Sequence, residues 1–174
     1  LGSRAAQLLG YVGEISAEEL GRLRKSGYSL GDKIGKAGIE GSFDKYLRGV
    51  AGEAQVTVDS LGRPQGPLVP RKEAGTGLQV RLTLDVKLQQ AAEEALRFGI
   101  STPKANKSFS GDGGAIVALD PEDGAVLAMA SYPTYKPSVY VGRIDPKDIA
   151  PLVEQEAAVR ENFPGLNRVT QARY

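Results

Sequence analysis

The chain has 174 residues, with 22 Lys and Arg against 21 Asp and Glu for a formal charge of +1, and it contains no His, no Cys and no Trp. Those zeros exclude a Ser/His/Asp or Cys/His nucleophile pair, a His/Cys zinc site, the usual haem ligands and any disulfide. The 41% hydrophobic and 25% charged composition is that of a folded chain, long enough for one large or two small domains without covalent staples. Lys and Arg are scattered rather than clustered, so no nucleic-acid partner is expected.

The longest apolar runs, Ala115 to Leu119 and Ala125 to Ala130, fall far short of the roughly 18 residues of a membrane span. Leu1-Gly2-Ser3-Arg4 carries no signal-peptide pattern and the sequence starts without Met, so it reads as a piece of something longer. A chain of this length needs no disulfide, and the absence of Cys leaves its compartment open.

In chain order, Ser16-Ala17-Glu18-Glu19 has the form of a capping box and opens a helix expected from Ala17 to Lys25. Gly27, Gly31, Gly35 and Gly38 then punctuate a loop. Ile39, Phe43, Tyr46 and Leu47 recur on one helical face and predict a second helix ending at Gly49. Gln55 to Asp59 alternates and leads into the turn residues Ser60-Leu61-Gly62-Arg63, the pattern of a strand opening a hairpin. Pro64 to Gly77, with three prolines and three glycines, reads as loop or edge. Leu78, Val80, Leu82 and Leu84 alternate with Gln79, Arg81 and Thr83 as in a half-buried strand.

Asp85 is placed to cap a helix whose apolar face is Leu88, Ala91, Ala92, Ala95 and Leu96, with Lys87, Gln90, Glu93 and Glu94 outside. Gly99 to Gly114 is polar and Ser- and Gly-rich, a flexible connector and domain boundary. The two apolar runs beyond it, separated by Asp120 to Gly124, predict two buried antiparallel strands. A Tyr-rich stretch follows, then a charged helical region from Pro146 to Arg160 interrupted at Pro151. The fold class is α+β: short helices and strands over 1–99, a connector over 100–113, and from 114 to 174 the first antiparallel strands of a larger sheet. A lone two-stranded hairpin is marginal in water, so its faces should be covered by material outside this sequence.

Two Ser-x-x-Lys matches occur, Ser42-Phe43-Asp44-Lys45 and Ser101-Thr102-Pro103-Lys104. On a helix this spacing puts hydroxyl and amine on one face, where a neutral Lys can take the proton from an attacking Ser. Neither pair sits in a sequence that would keep Lys dry and uncharged, and no Ser-x-Asn or Lys-Thr-Gly partner motif accompanies them. A self-contained Ser/Lys acyltransferase is therefore the alternative reading, and an extracytoplasmic glycan-binding module another. Asp120 with Asp123 and Glu18 with Glu19 read as turn and cap residues. The Gly-rich stretches 31–41 and 111–114 lack the spacing of a phosphate cradle. Tyr132, Tyr135, Tyr140 and Tyr174 read as amphipathic side chains at a domain seam rather than as a binding surface. No catalytic residue, metal site or cofactor site is assigned within the chain.

Several segments, read in order, carry a resemblance: Leu9-Gly10-Tyr11-Val12-Gly13-Glu14-Ile15, Gly35-Lys36-Ala37-Gly38-Ile39-Glu40, Tyr46-Leu47-Arg48-Gly49 and Val58-Asp59-Ser60-Leu61-Gly62-Arg63. They resemble the non-catalytic pedestal of class B penicillin-binding proteins. Leu82-Thr83-Leu84-Asp85 with Leu88-Gln89, and the strands from Gly114 to Pro121 and Gly124 to Pro133, are similar to the entry into that family's transpeptidase domain, and Asn167-Arg168-Val169-Thr170-Gln171 with Tyr174 is similar to the stretch that precedes its nucleophile. The elongation type, the penicillin-binding protein 2 group, is the nearest likeness.

The resemblance implies a cell-wall D,D-transpeptidase on the extracytoplasmic face of the bacterial cytoplasmic membrane, held there by an anchor absent from this sequence. It would cross-link peptidoglycan stem peptides by serine acyl transfer and be acylated by β-lactams, with the nucleophile a few residues past Tyr174. It also implies a SEDS-type glycosyltransferase and other elongation proteins as partners.

Overall fold

The computed structural model describes residues 2–105 and 111–172, with the side chains of 103–105 outside that description. The chain divides into two compact units, Phe43–Arg81 and a larger one formed by Leu1–Ser42 with Leu82–Tyr174. The class is α+β, as expected, with three separate two-stranded antiparallel sheets.

In the larger unit α1 (Ala6–Leu9) leads into β1 (Val12–Glu14), and the capping box at Ser16 starts α2 (Ala17–Leu23). The Ser16 hydroxyl accepts from the Glu19 N–H while the Glu19 carboxylate accepts from the Ser16 N–H. A single 3-10 turn, Arg24–Ser26, extends α2 and ends at Gly27 in the left-handed region. Within the expected glycine loop lies β2 (Lys33–Gly35), which pairs with β1 in the register Val12↔Gly35 to Glu14↔Lys33. Three residues are too few for a period-two pattern to show. Ile15, Tyr28 and Ile34, flanked by Leu20 and Leu23, form a small core beneath this sheet.

The expected helix from Ile39 to Gly49 is two short ones, α3 (Gly38–Ser42) and α4 (Asp44–Leu47), broken at Phe43, whose φ of −110° and ψ of 11° are not helical. Gly38 and Gly41 weaken the first piece. Glycine there is required by packing: Gly10 and Gly38 both have positive φ, a Cβ on Gly10 would overlap the Ala37 carbonyl, and one on Gly38 would overlap the Leu8 carbonyl.

In the smaller unit β3 (Glu53–Val58) and β4 (Pro64–Lys72) form a hairpin. Its turn is organised by Asp59, whose carboxylate accepts from the N–H groups of Leu61 and Arg63, each at 2.9 Å. The Arg63 N–H, chiefly, holds that carboxyl below its ordinary titration range. The segment read as loop or edge is thus a nine-residue strand, tolerated because a two-stranded hairpin leaves prolines an unpaired side.

Leu78 to Leu84 forms no strand, correcting the expectation from its alternation. Half-burial does alternate at Leu82 and Leu84 against exposed Arg81 and Thr83. In place of a ladder, the Thr83 hydroxyl donates to the Val126 carbonyl at 2.7 Å and the Asp85 N–H to the Leu127 carbonyl at 2.9 Å. Asp85 also caps α5 (Val86–Ala105), accepting from the Leu88 N–H at 2.8 Å.

This helix continues through Gly99 to Ala105, so the boundary at 99 falls inside it and the connector from 100 to 113 begins as helix; residues 106–110 lie outside the described ones. Its buried face is also rotated from the expected one. Gln89 and Ala92 are buried, with Leu96 packed beside them, while Leu88, Ala91 and Ala95 are exposed. The expected hairpin is present as β5 (Gly114–Leu119) and β6 (Val126–Tyr132). Ala128 and Ala130, with Ile116 and Ala118, pack one of its faces on Ala92 and Leu96. The C-terminal helices are α6 (Pro146–Val153) and α7 (Gln155–Arg160). The break comes at extended Glu154 rather than at Pro151, which lies within α6.

Gly10→Ala should destabilise the larger unit by more than ~2 kcal/mol, since it adds a steric overlap to the cost of a positive φ. Gly62→Ala, also at positive φ but facing open space, should cost only about 1 kcal/mol. Thermal unfolding of both variants checks the contrast.

Candidate functional site

The sheet of β5 and β6 has two edges in different states. Along β6, Gln89 is 2% exposed and its amide meets the Met129 peptide at both ends: Nε2 donates to the Met129 carbonyl at 3.0 Å and Oε1 accepts from the Met129 N–H at 2.7 Å. A side-chain amide here does the work of one residue of a neighbouring strand. The second Nε2 proton goes to Glu93 Oε1 at 2.7 Å, which also accepts from the Ala5 N–H at 2.7 Å. With Asp85 on Leu127, this closes β6 to further pairing.

Among the described residues, no hydrogen bond reaches the outer edge of β5. The face turned away from α5 carries Val117 and Leu119, exposed at 45% and 57%. An apolar strand with a free edge and a bare face is shaped for completion by further strands.

The far end of β6 is covered by the C-terminal segment. Arg168 is 7% exposed; its guanidinium donates to the Asn162 carbonyl at 2.6 Å, to Asn162 Oδ1 at 3.0 Å and to the Phe163 carbonyl at 3.2 Å. Those carbonyls belong to a corner in which Asn162 and Phe163 both have positive φ. The Ser131 hydroxyl accepts from the Arg168 N–H at 3.1 Å and donates to the Leu166 carbonyl at 3.2 Å.

The tyrosines meet inside the larger unit. Tyr11 and Tyr140 stack with centroids 3.6 Å apart, and Tyr135 meets Tyr140 edge-on at 6.2 Å. The Tyr135 hydroxyl donates to the Ala6 carbonyl at 3.3 Å. Burial, with a smaller contribution from Tyr11, pushes the Tyr135 phenol up to about 12. Tyr132 is half-buried at the end of β6, and Tyr174 lies outside the described residues.

Glu19 and Lys36 form an ion pair at 2.5 Å. The Lys36 ammonium first, then the Ser16 N–H, hold the Glu19 carboxyl down at about 2.

The two Ser-x-x-Lys matches fall in different local settings. Ser42 ends α3 and Lys45 lies on α4, both exposed, and the break at Phe43 removes the shared face. Ser101 is exposed on α5 and its hydroxyl donates to the Phe98 carbonyl of the same helix at 3.2 Å. The Lys104 side chain lies outside the described residues. Among the described residues no cluster of three or more acidic side chains is placed to hold a metal, and no helix is long and apolar enough to cross a membrane. Sequence reasoning placed Gln89 and Arg168 in segments of family likeness and Glu93 on the outer face of its helix, and gave none of the three its structural role. The signal for Gln89 was its spacing of three and seven from Ala92 and Leu96, a polar residue inside an apolar stripe.

Residues 1–82 match the family model described as the penicillin-binding protein dimerisation domain. Over 179 residues, covering 99% of this chain, the sequence is 35% identical to peptidoglycan D,D-transpeptidase MrdA of Escherichia coli K12. Over nearly its whole length the chain is similar to elongation-type class B penicillin-binding proteins. It spans about a quarter of the length of such curated relatives. A solved structure described as the coordination of polymerization and crosslinking by a peptidoglycan synthase complex matches at a TM-score of 0.75, with 35% identity over 96% of this chain and 28% of that one. The complex of PBP2 with MreC from Helicobacter pylori matches at 0.66, with 28% identity over 96% of this chain and 27% of that one. In this segment β5 and β6 are the part with an unpaired edge.

Gln89→Leu should destabilise the chain by ~2–4 kcal/mol, because it strands the Met129 N–H and carbonyl in a dry site; denaturant unfolding measures it. Glu19 has a folded-state titration point of about 2 against an ordinary 4.5, so its contribution is full above pH 4.5 and is lost as pH falls toward 2. It amounts to no more than about 1 kcal/mol for a pair partly in water. Lys36→Met should flatten stability against pH in that window.

Proposed function

We propose that this chain is the scaffolding and partner-binding portion of a peptidoglycan D,D-transpeptidase that serves cell-wall elongation and cell shape. Serine acyl transfer onto stem peptides, the step that β-lactams intercept, belongs to residues beyond Tyr174. The observation that carries this reading is the asymmetry of the hairpin: β6 is sealed by Gln89, while β5 keeps a free edge and an exposed apolar face. In this reading the pedestal lies within residues 1–85, and 114–174 hold the first part of the transpeptidase domain. Helix α5 goes with the catalytic side, because it packs on β5 and β6.

The setting proposed with this reading is the extracytoplasmic face of the cytoplasmic membrane, with an anchor supplied outside these residues. The partners are a SEDS-type glycosyltransferase and other elongation proteins. Support comes from the likeness to chains solved in a peptidoglycan synthase complex and in a complex with MreC.

Fluorescent penicillin should acylate a longer chain that includes the downstream sequence and leave the 174-residue chain unlabelled. Labelling of the shorter chain that disappears in Ser42→Ala or Ser101→Ala would overturn the proposal in favour of a self-contained acyltransferase. The longer chain should also bind less hydrophobic dye than the shorter one, as β5 gains its cover.

A further inference from the structure

Beside the tyrosine stack lies a cavity of about 360 Å³, within the roughly 300–1,000 Å³ of small-molecule sites. Tyr11, Tyr135 and Tyr140 line it together with Asn167, Thr170 and Gln171. Among the described residues no charged one lines it, in a chain that is 25% charged. That lining offers nothing to compensate a phosphate, carboxylate or ammonium drawn out of water. It suits a neutral ligand with apolar C–H faces for aromatic rings and with hydroxyl or acetamido groups for side-chain amides.

The amides are arranged for such a ligand. Asn167 Oδ1 accepts from the Val169 N–H and Gln171 Oε1 from the Asn167 N–H, each at 3.1 Å. A backbone N–H can pair only with the oxygen of an amide, so both orientations are fixed. The NH₂ groups of Asn167 and Gln171 are left without a hydrogen bond among the described residues. Gln7 is fully used: it donates to the carbonyls of Pro133 and Pro164, each at 2.9 Å, and accepts from the Thr134 hydroxyl at 3.3 Å. The aromatic side is equally fixed, by the ring stack and by the bond from Tyr135 to Ala6. Both amide oxygens are held by backbone N–H groups, so two donors remain unspent on the lining.

We propose that this cavity binds a neutral saccharide, a segment of an N-acetylated amino-sugar strand, on Tyr140 and its neighbours with Asn167 and Gln171 as donors. The choice of an N-acetylated strand rests on the reading of the chain as part of a peptidoglycan transpeptidase. The choice of a neutral saccharide rests on the lining alone.

The chain has seven Tyr and no Trp, so its ultraviolet emission is that of tyrosine, with the three clustered rings among its sources. Titration with an N-acetylglucosamine tetramer should give a saturable change, with a glucose tetramer binding more weakly. Gln171→Glu keeps the acceptor for the Asn167 N–H but replaces the donor, and should weaken binding about three- to tenfold at an unchanged thermal midpoint. Tyr140→Leu should remove the response, and Gln171→Glu decides the matter if that variant does not fold. No saturable response, equal binding of the glucose tetramer, or binding indifferent to Gln171→Glu would overturn the site. Penicillin acylation of the longer chain, run in parallel, separates the two ideas. Acylation without saccharide binding overturns the site alone, and binding without acylation supports the site while overturning the transpeptidase reading.

Discussion

A single side-chain amide decides how the hairpin of β5 and β6 can be used. Gln89 presents a donor and an acceptor to Met129 with the spacing of a peptide group, so one position of α5 satisfies the backbone that another strand would otherwise seek. The arrangement tolerates no partial version, because a buried amide with one bond missing costs more than an apolar residue in its place. Glu93 completes it by taking the remaining Gln89 proton and the Ala5 N–H on the same oxygen. The helix, the strand and the N-terminal segment are thereby held by one polar cluster, and addition to the sheet is directed to β5.

The same economy recurs elsewhere in the larger unit. Arg168 satisfies carbonyls at a corner whose two residues have positive φ, and Gln7 gathers the carbonyls of Pro133 and Pro164. With few large side chains fully buried, the unit depends on such polar junctions more than on a single apolar core. Its apolar clusters are small, one around Ile15, Tyr28 and Ile34 and one of alanines beneath the hairpin.

What could be read from the sequence was whatever depends on neighbours. The capping box at Ser16, the turn at Asp59, the cap at Asp85 and the hairpin of two apolar runs all rest on residues a few positions apart, and all are present. What could not be read depends on partners far along the chain. Residues 78–84 alternate correctly yet form no strand, because Thr83, Asp85 and Gln89 meet β6 by isolated bonds in place of a ladder. The inward face of α5 is chosen by Met129, forty residues on, and not by the richest apolar stripe. The Ser/Lys spacing at Ser42 presupposed one helix where Phe43 makes two. The tyrosine cluster joins Tyr11 to Tyr140, a separation no local pattern reports. The order of family segments along the chain carried more than any one of them, and the comparisons agree with it.

The bonds from Gln7 span 126 and 157 positions of sequence. Until residue 164 has emerged during synthesis, the N-terminal helix lacks the carbonyls that hold it, whereas the hairpin of β3 and β4 has all its contacts within a short stretch. Loop closure over such distances is slow compared with hairpin formation. The inserted unit is therefore the part able to take shape on the nascent chain, and the surrounding unit must wait, an order of assembly written into the connectivity itself.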